Sequence, residues 1–174
     1  LGKNLQKKFG LVADDGGALA PAINDNTQAF DLMLEAVEQA GYGGKVELGL
    51  DVAASDLYLE DRGLYKISGR EMEPAELIAS YISLAKQYPL VFIEDPFDQD
   101  DFESFAKLTA ALPDRKIVGD DLFVTNPGRI RMGIEQKAGN TLLLKVNQIG
   151  TVSEAYDAGI LALRNGLAVT VSLR

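Results

Sequence analysis

The stretch Leu90-Val-Phe-Ile-Glu94 is a continuous apolar run that ends on a carboxylate, and it decides the fold of this chain. Such runs are typical of parallel sheets, whose strands are covered on both faces and cannot turn one face to water. The same form recurs in Lys116-Ile-Val-Gly-Asp120 and Thr141-Leu-Leu-Leu-Lys145. Residues 45–51 and 167–172 have similar patterns. The sequence therefore predicts about five buried, parallel strands.

Helical patterns lie between these strands. Apolar residues spaced three and four positions apart predict helices over residues 26–40, 101–112, 127–138 and 152–165, and a further helix that begins at Pro74. Strands that alternate with helices are typical of parallel βα units. Five such units alone would form an open α/β sheet. As part of a longer chain they would form a partial (β/α)8 TIM-type barrel with outer helices, which we expect because charged residues end several strands.

Composition narrows the classes of function. The chain has 174 residues, enough for one domain, and a net charge of −9 argues against unaided binding to nucleic acid. Without Cys or His, thiolate and imidazole metal sites and Ser-His catalysis are excluded within this sequence. No apolar run approaches the ~20 residues of a membrane span, and we expect no signal peptide. Because the chain starts on Leu, we expect a segment upstream. The lack of Cys suits a cytoplasmic protein, in which disulfides are rare.

Charged residues end four of the predicted strands, and the carboxyl ends of barrel strands carry catalytic groups. Three carboxylates gathered there would repel one another unless a cation lay between them. All-oxygen ligation suits Mg²⁺, and a Lys beside the ion is a candidate base. This set suits removal of a proton alpha to a carboxylate, with the metal stabilising the anion. The four residues are Asp51, Glu94, Asp120 and Lys145.

A plainer reading exists for each acidic residue. An Asp at the end of a strand often caps the next helix or closes a turn. Glu94-Asp95-Pro96 could be a capped turn and Asp120-Asp121 an acidic loop. Capping explains four charged strand ends poorly, because each would have to arise independently.

Four motifs resemble the enolase family. They are Leu50-Asp-Val-Ala-Ala-Ser55; Ile93-Glu-Asp-Pro-Phe97 with Asp100-Asp101; Val118-Gly-Asp-Asp-Leu122 with Val124-Thr-Asn-Pro127; and Leu142-Leu-Leu-Lys-Val-Asn-Gln-Ile-Gly150. The last two are long and specific, and all stand in the family order. The resemblance extends over residues 11–174.

The resemblance implies a magnesium-dependent lyase that interconverts 2-phosphoglycerate and phosphoenolpyruvate in glycolysis and gluconeogenesis. It implies that Asp51, Glu94 and Asp120 bind Mg²⁺, with Glu94 and Asp120 also facing the substrate, and that Lys145 is the base. It further implies that Ser172 and Arg174 contact the substrate, and that the guanidinium of Arg174 binds its phosphate. Residues 1–174 would then be the catalytic barrel domain without an N-terminal domain and a last strand, in a cytoplasmic homodimer.

Two positions depart from the family pattern. In Asp14-Asp15-Gly16-Gly17, Asp15 replaces a Glu that helps to expel the leaving hydroxyl, so Asp15 is either a shorter catalytic acid or a turn residue. The following Ala18-Leu-Ala-Pro21 is one residue longer than the family pattern. In Ser172-Leu173-Arg174, Leu173 replaces a family His and would simply pack.

These departures leave three hypotheses open. The chain belongs to a working enolase, to an enolase-like paralogue that acts on a related phosphorylated or phosphonate acid, or to a non-catalytic binding protein that keeps the fold. Magnesium-dependent turnover separates the first two from the third, and substrate preference separates the first from the second.

Overall fold

A computed structural model describes residues 1–10, 19–23 and 25–173. The chain divides into two compact units, residues 1–48 and 49–174. Asp15 and Arg174, two of the predicted site residues, lie outside the described residues.

The first unit contains two helices, α1 (Gly2–Phe9) and α2 (Asn26–Gln39). The predicted helix over residues 26–40 is confirmed, and it begins where the Asp25 side chain accepts a hydrogen bond from the backbone N–H of Thr27. Asn4 on α1 donates to Gln39 on α2 at 2.8 Å. Helix α1 was not predicted; it has only eight residues, and Leu5 is its buried one.

The second unit is built on a five-stranded sheet, which contains, in spatial order, β1 (Leu48–Asp51), β5 (Leu90–Glu94), β6 (Lys116–Gly119), β7 (Thr141–Leu144) and β8 (Ala168–Val171). The pairs β5–β6, β6–β7 and β7–β8 are parallel. The strands therefore neighbour one another in chain order, as predicted.

Four longer helices follow the predicted ranges within a few residues: α3 (Pro74–Gln87), α4 (Phe102–Ala111), α5 (Pro127–Gln136) and α7 (Val152–Arg164). Their starts have local causes in the sequence. Glu73 and Glu76 form a capping box before α3, and Pro127 follows the capping Asn126 of α5. Apolar side chains of sheet and helices form the core, including the fully buried Ile93, Phe105, Ile117, Ile130 and Leu142.

The connection between β1 and β5 corrects one expectation. Every connection was expected to be a helical crossover, but here a short 3₁₀ helix (Ala54–Leu57) and a three-stranded antiparallel sheet precede α3. This hairpin sheet consists of β2 (Tyr58–Leu59), β3 (Leu64–Ile67) and β4 (Arg70–Met72). The fully buried Tyr65 anchors it, since its hydroxyl donates to Asp101 at 3.3 Å and accepts from the N–H of Asp98 at 2.8 Å. These strands are too short to show a period.

Two of the predicted charged ends lie just beyond their strands. β6 ends at Gly119 and β7 at Leu144, so Asp120 and Lys145 begin the loops that follow. Between β7 and α7 the chain forms a short helix, α6 (Val146–Ile149). Among the described residues, no helix is both long and apolar enough to span a membrane.

Candidate active site

Asp120 and Lys145 meet at the carboxyl edge of the parallel sheet. Lys145 Nζ donates to Asp120 Oδ2, and the two side chains are only 14% and 11% exposed. They meet because β6 and β7 are parallel neighbours, so that residues just past both strands share one edge. The glycine before Asp120 is required by packing, since a Cβ at Gly119 would lie 2.6 Å from the ring of Phe123.

Three buried carboxylates form a compact acidic group. Oxygens of Glu94, Asp95 and Asp120 lie within 4.8 Å of one another. Glu94 is the last residue of β5, which is paired with β6. The group differs from the predicted ligand set, because it includes Asp95 and not Asp51. Oxygen ligands at this spacing could hold a metal ion.

Asp95 organises the loop after β6. Its Oδ1 accepts from the backbone N–H of Asp120 at 3.1 Å and of Leu122 at 3.5 Å, and its Oδ2 accepts from Asp121 at 2.9 Å. Asp95 itself has φ 40°, a left-handed conformation that is strained for a non-glycine residue. Both of its oxygens accept backbone N–H groups of the loop after β6, and these hydrogen bonds hold the backbone at Asp120 in place.

Asp51 lies at the edge strand and is exposed. Its carboxylate accepts from the N–H of Ala53 at 3.2 Å. Partial burial raises the pKa of Asp51, the Ala53 hydrogen bond lowers it, and charges on Asp120 and Lys145 act on it in opposite directions. The side chain is therefore within electrostatic reach of the pair, although it stands outside the compact group.

The electrostatics of the group favour a cation. Burial, together with the charges on Asp51, Asp95 and Asp120, raises the pKa of Glu94 to about 7, although the charge on Lys145 acts to lower it. Burial likewise raises the pKa of Asp95 to about 7 despite its hydrogen bonds. One ammonium does not offset so many carboxylates, and a divalent cation with oxygen ligands fits the residues present.

Two polar residues that the sequence analysis did not single out complete the network. Gln148 on α6 donates from Nε2 to Asp120 Oδ1 at 2.6 Å. Its Oε1 accepts from the hydroxyl of Thr125 at 2.9 Å, and the same hydroxyl accepts from the backbone N–H of Lys145 at 2.9 Å. Both lie inside quoted motifs, but only the fold shows that they touch Asp120 and Lys145.

The remaining predicted residues lie at the end of the chain. Ser172 follows β8, and its N–H donates to the carbonyl of Leu144 at 3.0 Å. That bond places Ser172 one residue from Lys145 across the sheet. Leu173 is 94% exposed, so the expectation that it packs is wrong for this chain.

Comparison with known proteins identifies the family. Residues 1–174 match the family model described as "Enolase, C-terminal TIM barrel domain". The chain belongs to the enolase family. The predicted family and fold class, an α/β barrel with parallel strands, are thereby confirmed.

Similarity to individual enolases extends over the whole chain. It is 51% identical to the enolase of Methanopyrus kandleri over 180 residues, covering 100% of this chain and 42% of the relative. It is 50% identical to the enolase of Methanothrix thermoacetophila over 177 residues and 48% identical to that of Pyrococcus furiosus over 181, with 100% of this chain and 42% of each relative covered. This enolase-family domain thus spans about two fifths of the length of the curated relatives that it matches.

Proposed function

We propose that this enolase-family domain is the catalytic part of a hydro-lyase that interconverts 2-phosphoglycerate and phosphoenolpyruvate, in glycolysis and in reverse in gluconeogenesis. One observation carries the proposal. The amine of Lys145 contacts the carboxylate of Asp120 beside Glu94, at the carboxyl edge of a parallel sheet in a chain matched along its length by the enolase model.

Mg²⁺ is the proposed cofactor, held by Asp51, Glu94 and Asp120. Its support is the buried, all-oxygen acidic group and the raised pKa of Glu94, which a bound cation would lower. When bound, the ion stabilises negative charge on the substrate carboxylate. The assignment of Asp51 as a ligand rests on the family motif and on its electrostatic interaction with Asp120 and Lys145, because its side chain is exposed and outside the acidic group.

The chemistry falls to the side chains of this chain. Lys145 takes the alpha proton onto Nζ, and the support for this role is its contact with Asp120 beside the acidic group. Asp15 gives a proton to the leaving hydroxyl, which departs as water. Ser172 and Arg174 bind the substrate, with the guanidinium on the phosphate, while Glu94 and Asp120 face the carboxylate end. The roles of Asp15 and Arg174 rest on motif position alone.

Deuterium exchange tests the assignment of the base in the full-length protein. Lys145→Ala should abolish both dehydration of 2-phosphoglycerate and exchange of its alpha proton with solvent deuterium, because both need the same proton transfer. Lys145→Arg should not restore them, since a guanidinium cannot act as a base. Lys66→Ala, a change of an exposed Lys in the hairpin sheet, is the matched control and should leave both rates unchanged. Retained exchange in Lys145→Ala would remove Lys145 from the mechanism.

Asp15 supplies the complementary test. Asp15→Ala should slow dehydration and leave alpha-proton exchange largely intact, because the carbanion can form before the hydroxyl leaves. Loss of exchange in this variant would reverse the roles of Asp15 and Lys145.

The substitutions at Asp15 and Leu173 favour one second candidate, an enolase-like enzyme for a related phosphorylated or phosphonate acid. Asp15 is one methylene shorter than the family Glu, and a misplacement of about 1 Å can cost about a hundredfold in rate. Asp15→Glu should raise turnover of 2-phosphoglycerate if this is an enolase, and should not help if the site serves another acid. A protein that turns over neither class of acid with Mg²⁺ would be the third, non-catalytic candidate.

The proposal extends to the whole protein. Residues 1–174 would be part of the catalytic barrel, with the N-terminal domain and last strand of a complete enolase outside them, as the 42% coverage of the relatives supports. A homodimer in the cytoplasm belongs to the same proposal and is supported by family membership. Sedimentation of the full-length protein at twice the protomer mass is the expected result.

A further inference from the structure

Gln148 and Thr125 connect the two residues to which the proposed function assigns metal binding and proton transfer. We infer that Gln148 is a positioning residue for Asp120 and Lys145, and that Thr125 is its anchor. The inference rests on the proposed function, because positioning has a consequence only where Asp120 and Lys145 act.

The hydrogen bonds of Asp120 divide between its two oxygens. Gln148 Nε2 donates to Oδ1 at 2.6 Å, and Lys145 Nζ donates to Oδ2. A carboxylate can rotate about its terminal torsion at little cost, so it needs a second fixed partner to present one chosen oxygen. With Oδ1 held by an amide, Oδ2 is the oxygen turned toward Lys145.

Thr125 holds the amide and the base together. It is fully buried, and its hydroxyl donates to Gln148 Oε1 and accepts from the N–H of Lys145, each at 2.9 Å. A hydroxyl that donates one hydrogen bond and accepts another is restricted in its orientation. Gln148 is therefore fixed by an oxygen that also fixes the backbone of Lys145.

The backbone around Thr125 is strained. Val124 and Thr125 have φ of 41° and 54°, left-handed values for two consecutive β-branched residues. Such strain persists where the surrounding structure imposes it, and it often accompanies function. Here it brings the Thr125 hydroxyl between Gln148 and Lys145.

The test compares near-isosteric variants of the full-length protein. Gln148→Met keeps the length of the side chain and removes the amide, and Thr125→Val keeps the shape and removes the hydroxyl. For both we expect Mg²⁺ affinity by calorimetry and kcat for 2-phosphoglycerate to fall about 10- to 100-fold, the usual effect of losing a group that orients a ligand. KM should change less than about twofold, because neither side chain is assigned to the substrate.

Controls separate positioning from folding. Thr125→Ser restores the hydroxyl and should recover most of the loss, which a purely steric role of the Thr methyl would not allow. Gln136→Met makes the same exchange at an exposed position on α5 and should change neither affinity nor kcat. If Thr125→Val does not fold, Gln148→Met decides alone, since Gln148 is only partly buried.

The outcomes distinguish this inference from the proposed function. Affinity and kcat within twofold of the unsubstituted protein in Gln148→Met would overturn the inference and leave the function standing. An unsubstituted protein that binds Mg²⁺ but does not turn over 2-phosphoglycerate would end the proposed function, while the calorimetric comparison still decides the inference. An unsubstituted protein that binds no Mg²⁺ would overturn both.

Discussion

One Asp ends β1 and another directly follows β6, but the surroundings of the two residues differ. Asp120 follows an inner strand of the described sheet, is buried, and meets Lys145, Gln148 and, through its backbone, Asp95. Asp51 ends the first strand in the sheet order, is exposed, and its carboxylate accepts from the nearby Ala53 N–H. Neighbours on both sides allow a strand end to be surrounded by fixed partners. The comparison teaches that position in the sheet, more than residue type, determines how well a carboxylate is oriented.

Replacing Asp120 should have the largest effect. Asp120→Asn keeps the shape and removes the charge, so we expect Mg²⁺ affinity in the full-length protein to fall at least about 100-fold and turnover to be lost. The fold should remain, because the charge contributes little to the apolar core. Calorimetry measures the Mg²⁺ affinity, and circular dichroism measures whether the fold remains. Unchanged Mg²⁺ affinity would show that Asp120 is not a ligand.

Replacing Asp95 should affect stability as well as activity. Asp95→Asn retains one acceptor oxygen but turns an N–H₂ group toward backbone N–H donors, leaving at least one of them without a partner. We expect the free energy of unfolding to fall by about 1–3 kcal/mol and turnover to fall with it, because the loop that carries Asp120 loosens. Urea unfolding measures the change in the free energy of unfolding. Asp98→Asn, at a carboxylate that is not part of the acidic group, provides the control. Wild-type stability in Asp95→Asn would mean that the loop holds its shape without this carboxylate.

Replacing Asp51 should have a smaller effect and sharpens the comparison most directly. If Asp51 completes the metal site, Asp51→Asn should lower Mg²⁺ affinity about tenfold and leave stability unchanged, since the side chain is exposed. The same titration that serves Asp120→Asn measures it. A change of less than twofold would restrict the metal site to the buried carboxylates.

The stability of the protein should also depend on pH, without any substitution. Burial raises the pKa of Glu94 from 4.5 to about 7 and that of Asp95 from 3.8 to about 7. Between the pKa values of these groups in the unfolded chain and in the folded protein, the folded protein binds protons that the unfolded chain has released. The free energy of unfolding without metal should therefore fall as pH rises from about 4 to about 7. Saturating Mg²⁺ should offset this fall above pH ~7 by about 2.7 kcal/mol at 100 times Kd. Urea unfolding at several pH values, with and without Mg²⁺, measures both trends. Stability that rises with pH in the metal-free protein would contradict the raised pKa values.

Much of the fold could be predicted from the sequence because its signals are local. Leu90–Glu94 is apolar throughout, as a strand covered on both faces must be, and its predicted bounds are those observed. Pro74 and Asn126-Pro127 mark helix starts through their own backbone preferences. The hairpin sheet escaped prediction because its strands are short and its stability comes from Tyr65 reaching Asp98 and Asp101, residues far away in the chain.

The candidate active site also has features that local sequence predicts and features that depend on distant residues. The sequence by itself determined which charged residues lie at the ends of the strands or directly after them, since a strand of known direction places its carboxyl end at a known edge. Only the tertiary structure decided which of them come into contact: Lys145 with Asp120, and Asp95 rather than Asp51 in the compact acidic group. The tertiary structure alone connects Asp120 and Lys145 through Thr125 and Gln148. The physical reason is that hydrogen bonds between loops depend on distances of a few tenths of an ångström, which follow from how whole strands and helices pack.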